Sequence, residues 1–299
     1  MKKIAQQRVL IADFKRYLLV TGYAKDYIKA VATPLRECFG YMRENGVEVL
    51  GGVNTRMMKA YRLYLENRPN SRGEGTLSPS TVTAYFFTLK LFFDYAQKTA
   101  LIEVNPMNVL RYARVQSRER VILTEEEIQA LYQAAEDEQE RAILSLFYGC
   151  GLRRAEGEKL NIRDIDFRGR FLYIRSGKGN KRRVVPMSAK VVEDLKAYYH
   201  EQRSGQLSRY TQRKDHLAFM LNQRGTRMRG NSFYIYFKRI LERTEIEKKV
   251  SLHHLRHSIA THLLAGGMEI EKVRDFLGHR YLETTQLYTR VSKEQLQWE

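Results

Sequence analysis

The residues of this chain that could do chemistry lie in five short segments of its second half. They are one tyrosine, two histidines, one lysine and two arginines: Tyr288, His253, His279, Lys178, Arg153 and Arg256. The tyrosine offers a nucleophile, the lysine and the arginines are cations, and the imidazoles can move protons near neutral pH. Attack on a phosphodiester without a metal ion requires a set of this kind.

The spacing around His253 favours a phosphate site. His253 and Arg256 are three residues apart, so on a helix both side chains would lie on one face. An arginine can bind two phosphate oxygens while a nearby imidazole exchanges a proton, although an ordinary polar helix start has the same pattern. Four histidines lie between positions 253 and 262, but no His-Glu-x-x-His motif or cysteine pair accompanies them. We therefore predict no metal site.

The other segments are ambiguous when each is taken alone. Arg153 ends a Gly-x-Gly-Leu-Arg segment, and Glu156 could orient a basic group near it, but a surface arginine is the alternative. Lys178 lies in a glycine-rich turn that lacks the Gly-x-x-x-x-Gly-Lys-Ser/Thr pattern of a nucleotide-binding loop. The turn could carry the lysine into a backbone groove, or simply expose it. Tyr288 is one of 19 tyrosines, and a phenol needs cationic neighbours and a proton acceptor before it attacks phosphorus.

Hydrophobic periodicity predicts a mainly α fold with a small antiparallel β-sheet. Four helices are expected in the first part: 8–20, 25–44, 55–66 and 79–99. The second part is expected to contain three short strands and several helices: strands 164–167, 171–175 and 183–186, and helices 188–203, 230–244, 253–265, 269–277 and 283–291. Between the parts, the arginine-rich stretch 111–120 is interpreted as a linker, because a capping box at Thr124–Glu127 starts the next helix. A solvated helix end would fit that stretch equally well.

The charge indicates a polyanionic partner. The net charge is +18, and residues 1–117 carry 18 basic and 9 acidic side chains, so both parts of the chain are basic. Nucleic acid is the simplest explanation, since each neutralised phosphate releases counterions, and a soluble protein with a basic surface is the alternative. The 43% hydrophobic and 29% charged content, without a long apolar run or signal peptide, predicts a soluble cytoplasmic protein with no membrane span. Its two cysteines are expected to be buried free thiols.

Five motifs occur in an order and spacing that strongly resembles the tyrosine recombinase (phage integrase) family, especially its compact Xer-like and mobile-element members. They lie within residues 148–290: Gly-Leu-Arg-x-x-Glu, Gly-Lys-Gly-Asn-Lys, His-x-Leu-Arg-His, Leu-Gly-His and Thr-Thr-Gln-x-Tyr-Thr. The resemblance implies an all-α SAM-like core-binding domain at 1–112, a linker at 113–122 and an α+β catalytic domain at 123–299.

The resemblance also implies a role for each site residue. Arg153 and Arg256 would clamp the scissile phosphate, and Lys178 would donate a proton to the leaving 5′ oxygen. His253 would serve in acid–base exchange. His279 would hydrogen-bond a phosphoryl oxygen, Tyr288 would form the 3′-phosphotyrosyl link, and Glu156 would support the cluster. The segment departs from the family pattern at Gly157, which is expected to weaken its helix by about 1 kcal/mol.

The expected function is site-specific recombination of double-stranded DNA at an inverted-repeat core site, for integration, excision, inversion or dimer resolution. The resemblance implies two protomers on each site, a homotetramer on two sites, and no cofactor. The alternatives are DNA relaxation of the type IB topoisomerase kind and a non-catalytic DNA-binding protein.

Overall fold

The computed structural model describes residues 4–71, 73–110, 120–175, 182–208 and 215–278. The chain divides into two compact units, Met1–Arg118 and Glu119–Glu299, and each unit has its own hydrophobic core. Within these residues the elements of the first unit are helices, and the second unit combines helices with one small antiparallel sheet, so the predicted fold class is confirmed.

The described part of the first unit contains five α-helices: α1 Gln7–Val20, α2 Lys25–Ala30, α3 Ala32–Glu44, α4 Thr55–Asn67 and α5 Pro79–Lys98. Aromatic side chains hold them together, with Phe92 packed edge-on against both Phe14 and Phe39 at 5.4 Å between ring centroids. The predicted start of α5 is confirmed, because the Ser78 side chain accepts a hydrogen bond from the Thr81 backbone N–H.

The prediction of one helix over 25–44 is wrong, because the chain breaks at Val31 into α2 and α3. Pro34 lies in the first turn of α3, where its missing N–H costs no helical hydrogen bond. In a continuous helix the same proline would stand in the interior and remove such a bond. The break therefore moves Pro34 to a position that a helix tolerates.

The described part of the second unit contains eight α-helices and three strands. Before and within the sheet region these are α6 Glu125–Ala134, α7 Glu138–Leu144, α8 Arg154–Lys159, β1 Ile165–Asp166, β2 Phe171–Ile174 and β3 Arg183–Pro186. The later helices are α9 Ala189–Ala197, α10 Arg203–Ser208, α11 Gly230–Glu242, α12 Leu252–Ala265 and α13 Ile270–Leu277. The Thr124 capping box is present at the start of α6. The predicted helix 283–291 and most of the predicted linker lie outside the described residues.

The sheet has the order β1-β2-β3 with antiparallel neighbours. Leu172, Ile174 and Val185 are buried, while Tyr173 and Val184 point to the exposed face. Ile174 pairs with Arg183, which is the last pair before the connection that contains Lys178. Arg183 therefore stands at the base of that connection and on the same face as buried Val185.

A π-helical turn, Ser145–Gly149, extends α7 and leads into the segment with Arg153. Gly151 follows with a φ of 57°, which favours glycine, and a Cβ there would lie 3.0 Å from Leu277 Cδ2. The absent side chain thus lets the end of α13 approach this backbone. π-Helical turns such as Ser145–Gly149 are frequent at functional sites.

Gly157 makes room for an aromatic side chain of the core. A Cβ at this position would lie 2.9 Å from Cζ of Phe147, which is fully buried and packs edge-on against Phe233 at 5.1 Å. The weakening of α8 expected from this glycine is therefore offset by the packing that it permits.

We predict that Gly157→Ala destabilises the protein. Helix propensity favours alanine by about 1 kcal/mol, but overpacking a closed core costs about 1–3 kcal/mol, and the Phe147 ring is fully buried against Phe233. Gly205→Ala is the matched control, since no atom outside the backbone of its own helix lies within 4 Å of its Cβ position in α10, and it should stabilise slightly. Urea unfolding followed by circular dichroism tests the pair, and a more stable Gly157→Ala variant would contradict the packing argument.

Cys38 and Cys150 are free and buried, as predicted. Burial raises the pKa of both thiols, that of Cys150 to about 12, so neither forms thiolate near neutral pH. Across the described part of the chain, the helices are all too short or too polar to cross a membrane.

Candidate active site

Glu156 is the centre of the candidate site. It lies in the first turn of α8, and its side chain is only 2% exposed. Its Oε2 accepts a hydrogen bond from the backbone N–H of Arg153 at 2.8 Å, and its Oε1 accepts one from Arg153 Nη1 at 2.9 Å. The carboxylate thus holds both the backbone and the side chain of Arg153.

A second arginine, Arg183, binds the same carboxylate. Its Nη1 and Nη2 donate to Oε1 and Oε2 of Glu156 at 2.8 and 2.9 Å. Two parallel hydrogen bonds of this kind are the strongest arrangement of an arginine with a carboxylate. Sequence reasoning missed Arg183, although strand alternation places it with Val185 on the buried face, where an arginine needs a partner.

Arg256 completes the cluster from α12. Its Nη1 lies 4.0 Å from Glu156 Oε2, and its side chain is only 1% exposed. The same guanidinium donates to the backbone carbonyls of Gly151 and Leu277. The structure therefore brings Arg153 and Arg256, predicted from distant parts of the sequence, to one carboxylate.

Three consecutive carbonyls at the C-terminal end of α13 accept hydrogen bonds from the three arginines. Arg183 Nε donates to Phe276 O at 2.9 Å, Arg256 donates to Leu277 O, and Arg153 Nη2 donates to Gly278 O at 3.1 Å. The C-terminal end of a helix carries partial negative charge, which the cations stabilise. Gly278 ends the helix with a φ of 63°, a conformation that favours glycine. The residue that follows this anchored end is His279.

The charge of Glu156 is fixed by its neighbours. Burial opposes ionisation, but hydrogen bonds and charge from Arg183, together with the backbone N–H and charge of Arg153, lower the pKa of Glu156 to about 2. The carboxylate is therefore ionised at neutral pH. One negative charge faces three guanidiniums, so the cluster keeps an excess of positive charge that suits an anion such as a phosphate.

His253 lies one turn before Arg256 on α12 and is exposed. Partial desolvation, then the charges of Arg256, His254 and Arg153, lower its pKa. The imidazole is therefore neutral at pH 7 and can accept a proton. The ring of His257 lies edge-on to it, with 4.4 Å between the centroids. His254 has a structural role, because its Nδ1 accepts a hydrogen bond from the Ser251 backbone N–H at 2.9 Å.

His257 provides a prediction about pH. Partial burial, then the charges of His253 and Arg120, lower the pKa of His257 to about 3. The unfolded chain takes up a proton at this residue as the pH falls below 6.5, and the folded chain does not, so stability is lost on the acid side. Between pH 6 and pH 4 the free energy of unfolding should therefore fall less steeply with decreasing pH in His257→Gln. The difference in slope corresponds to about one proton, or about 1.4 kcal/mol per pH unit.

Urea unfolding of the full chain at pH 8, 6 and 4 measures this slope. The difference between the two proteins at pH 8, where the imidazole is neutral in both states, serves as the reference. Parallel curves for the unchanged protein and His257→Gln would show that the folded imidazole titrates normally.

Three of the predicted site residues, Lys178, His279 and Tyr288, lie outside the described residues. Within the residues that are described, no group of three or more histidine, cysteine, aspartate or glutamate side chains is arranged to hold a metal ion.

The model of the phage integrase family matches residues 122–295, and the model of the phage integrase SAM-like domain matches residues 11–113. The chain belongs to the phage integrase family and is a site-specific tyrosine recombinase.

Individual proteins support this membership. The chain is 29% identical to tyrosine recombinase XerC of Oceanobacillus iheyensis over 97% of its own length and 94% of the relative. It is 37% identical to tyrosine recombinase XerC of Chlamydia trachomatis over 72% of its length and 68% of the relative. Among solved structures, the Tn1549 transposon integrase in complex with transposon right end DNA has the same fold, with a TM-score of 0.72, 19% identity and 99% of each chain covered.

Proposed function

We propose that this protein cuts and rejoins double-stranded DNA through a 3′-phosphotyrosyl intermediate on Tyr288. The observation that carries the proposal is the convergence of Arg153 and Arg256 on Glu156 beside the neutral imidazole of His253. Cations fixed by one buried carboxylate need little reorganisation when negative charge develops on a phosphate. The net charge of +18 adds a long-range attraction for the DNA backbone.

In the proposed cleavage step, the Tyr288 oxygen forms a bond to the scissile phosphorus while the bond from phosphorus to the 5′ oxygen breaks. The phenol proton passes to neutral His253, and Lys178 gives a proton to the leaving 5′ oxygen. His279 donates a hydrogen bond to a phosphoryl oxygen. Ligation reverses each transfer with the 5′ hydroxyl of the new strand. The covalent link retains the energy of the phosphodiester, so resealing needs no nucleotide and no other cofactor.

Arg153 and Arg256 are proposed to bind the non-bridging oxygens of that phosphate. Arg153 is 23% exposed and uses Nη1 and Nη2 for Glu156 and Gly278, while Arg256 lies deeper. A guanidinium has five N–H donors, so these protein contacts leave donors for a phosphate on Arg153. Loss of either arginine should slow cleavage by about 10²–10³-fold, as for removal of an oxyanion donor.

The domain roles and the partners are part of the proposal. Residues 1–112 would form the core-binding domain, 113–122 the linker and 123–299 the catalytic domain, and both domains would contact the DNA. The DNA would contain an inverted-repeat core with one protomer on each half, so that four protomers exchange strands between two sites. The proposed place of action is the cytoplasm.

The experiment that tests the proposal traps the covalent adduct. Rounds of binding to a randomised inverted-repeat library first identify the preferred DNA, and a nicked duplex of that sequence then serves as substrate. Cleavage near the nick releases a short strand, so religation fails and the protein stays attached. A protein–DNA band that survives denaturation is expected, and binding without any such band would favour a non-catalytic DNA-binding protein.

The remaining alternative differs in site preference. An enzyme that acts as a type IB topoisomerase would relax supercoiled plasmids whether or not they contain the selected sequence. The recombinase proposed here should exchange strands only between two plasmids that both contain that sequence. The two assays on the same protein preparation separate the two activities.

A further inference from the structure

We propose that Arg183 is a positioning residue for strand transfer: it ties the base of the connection that carries Lys178 to Glu156 and to the C-terminal end of α13. This inference rests on the proposed function, in which Lys178 protonates the leaving 5′ oxygen. Arg183 is not among the residues that the sequence motifs identify.

The contacts of Arg183 are those of an internal brace. All three nitrogens of its guanidinium donate to protein acceptors, two to Glu156 and one to Phe276 O, and its side chain is 8% exposed. Every nitrogen of the Arg183 guanidinium is therefore engaged with the protein, as in a brace, and its charge adds to that of the cluster.

The position of Arg183 in the sheet links it to Lys178. Ile174 and Arg183 are the last pair of the β2–β3 ladder, and Lys178 lies five residues before Arg183 in the connection between the strands. A side chain fixed at the base of such a connection restricts where the rest of it can go. The bidentate bond to Glu156 thus sets the base of the Lys178 connection relative to the arginines proposed to hold the phosphate.

The same side chain fixes the end of α13. Its Nε binds Phe276 O, and its Cδ lies 2.9 Å from the point where a Cβ on Gly278 would stand. Gly278 therefore allows the Arg183 side chain to pass close to the helix end that precedes His279. One guanidinium thus joins Glu156, the start of β3 and the end of α13, and Lys178 and His279 lie in the sequence just beyond these elements.

The test compares leaving groups. Arg183→Gln is assayed on two nicked substrates, the ordinary phosphodiester and one in which sulfur replaces the bridging 5′ oxygen. A sulfur leaving group departs as thiolate and needs no proton, because thiols are far more acidic than alcohols. If Arg183 positions Lys178, the variant should cleave the ordinary substrate about 10²-fold more slowly, because a misplacement of about 1 Å in a catalytic group can cost that much in rate. On the sulfur substrate its cleavage rate should fall by no more than about threefold.

Two controls calibrate this comparison. Lys178→Ala should also cleave the ordinary substrate slowly and recover its cleavage rate on the sulfur substrate. Arg175→Gln removes an arginine from the other side of the same connection, one that is 55% exposed and pairs with Asp164 instead of Glu156, and it should cleave both substrates at the original rate. DNA binding and circular dichroism check that each variant folds. If Arg183→Gln does not fold, Arg183→Lys is used, and it should show a smaller loss on oxygen with the same restoration by sulfur.

The outcomes are separable. Restoration in Lys178→Ala, combined with an equal loss of Arg183→Gln on both substrates, would overturn the positioning role and leave the proposed function intact. Absence of restoration in Lys178→Ala would overturn the role of Lys178 in the proposed function, and the inference with it.

Discussion

Tyr288→Phe is expected to bind the selected DNA as tightly as the unchanged protein and to form no covalent adduct at all. Phenylalanine has no oxygen to bond to phosphorus, so the first chemical step is removed outright. The loss of one hydroxyl leaves the net charge of +18 unchanged, and phosphate contacts supply most of the binding free energy. Gel shift at fixed salt measures binding, and the nicked substrate followed by a denaturing gel measures the adduct.

Tyr234→Phe is the matched control for this substitution. Tyr234 is an exposed tyrosine on α11 that lies outside the arginine cluster, so its variant should yield the adduct at the original rate. An adduct in Tyr288→Phe would mean that another residue attacks the phosphate. An unchanged Tyr288→Phe and an inactive Tyr234→Phe would relocate the nucleophile to α11.

Glu156→Gln is expected to lower the free energy of unfolding by about 3–5 kcal/mol, the usual cost of removing one partner from a buried ion pair. The variant leaves Arg183 and Arg256, which are 8% and 1% exposed, without their common counter-charge. The amide keeps only one acceptor oxygen, so it also loses one of the two hydrogen bonds that Glu156 accepts from Arg153. Cleavage should therefore fall even at temperatures where the variant remains folded.

The stability deficit of Glu156→Gln should depend on pH in a defined direction. Because the pKa of Glu156 is about 2 in the folded protein and near 4.5 in the unfolded chain, its contribution is complete above pH 4.5. It is lost as the pH falls through the interval between these values. Thermal unfolding from pH 7 to pH 3 should show the two proteins converging on the acid side.

Glu140→Gln separates the loss of an ion pair from the loss of the cluster. Glu140 is also buried and accepts two hydrogen bonds from Arg243, at 2.7 and 2.6 Å, but it does not contact the three arginines. Its variant should lose stability and still cleave at the original rate below its melting temperature. If Glu156→Gln behaves in the same way, Glu156 is needed for folding alone.

Local sequence rules predicted much of the fold and part of the candidate site. The cap at Ser78 and the capping box at Thr124 depend on residues a few positions apart, and both are found. The pairing of Arg153 with Glu156 also follows from a short spacing on one helix turn. Short-range patterns of this kind can be read without knowledge of the tertiary structure.

The features that were missed depend on distant contacts. Arg183 lies 27 residues from Glu156, and nothing in its own strand specifies which carboxylate it will meet. Sequence motifs could not predict the hydrogen bonds to the carbonyls at the end of α13, because every residue has a carbonyl and only the fold determines its partner. The break between α2 and α3 is an exception, because Pro34 is a local signal for it, but the hydrophobic period continues across Val31 and hid the break.

The two buried cysteines have a practical consequence. Because burial raises the pKa of both Cys38 and Cys150, maleimide dyes should not react with these thiols in the native protein. A cysteine placed at exposed Lys98, and another at exposed Lys196, would then be the only sites of labelling, one in each compact unit. Energy transfer between the two dyes would report whether the distance between the two labelled positions changes as DNA is added, without prior removal of the natural thiols.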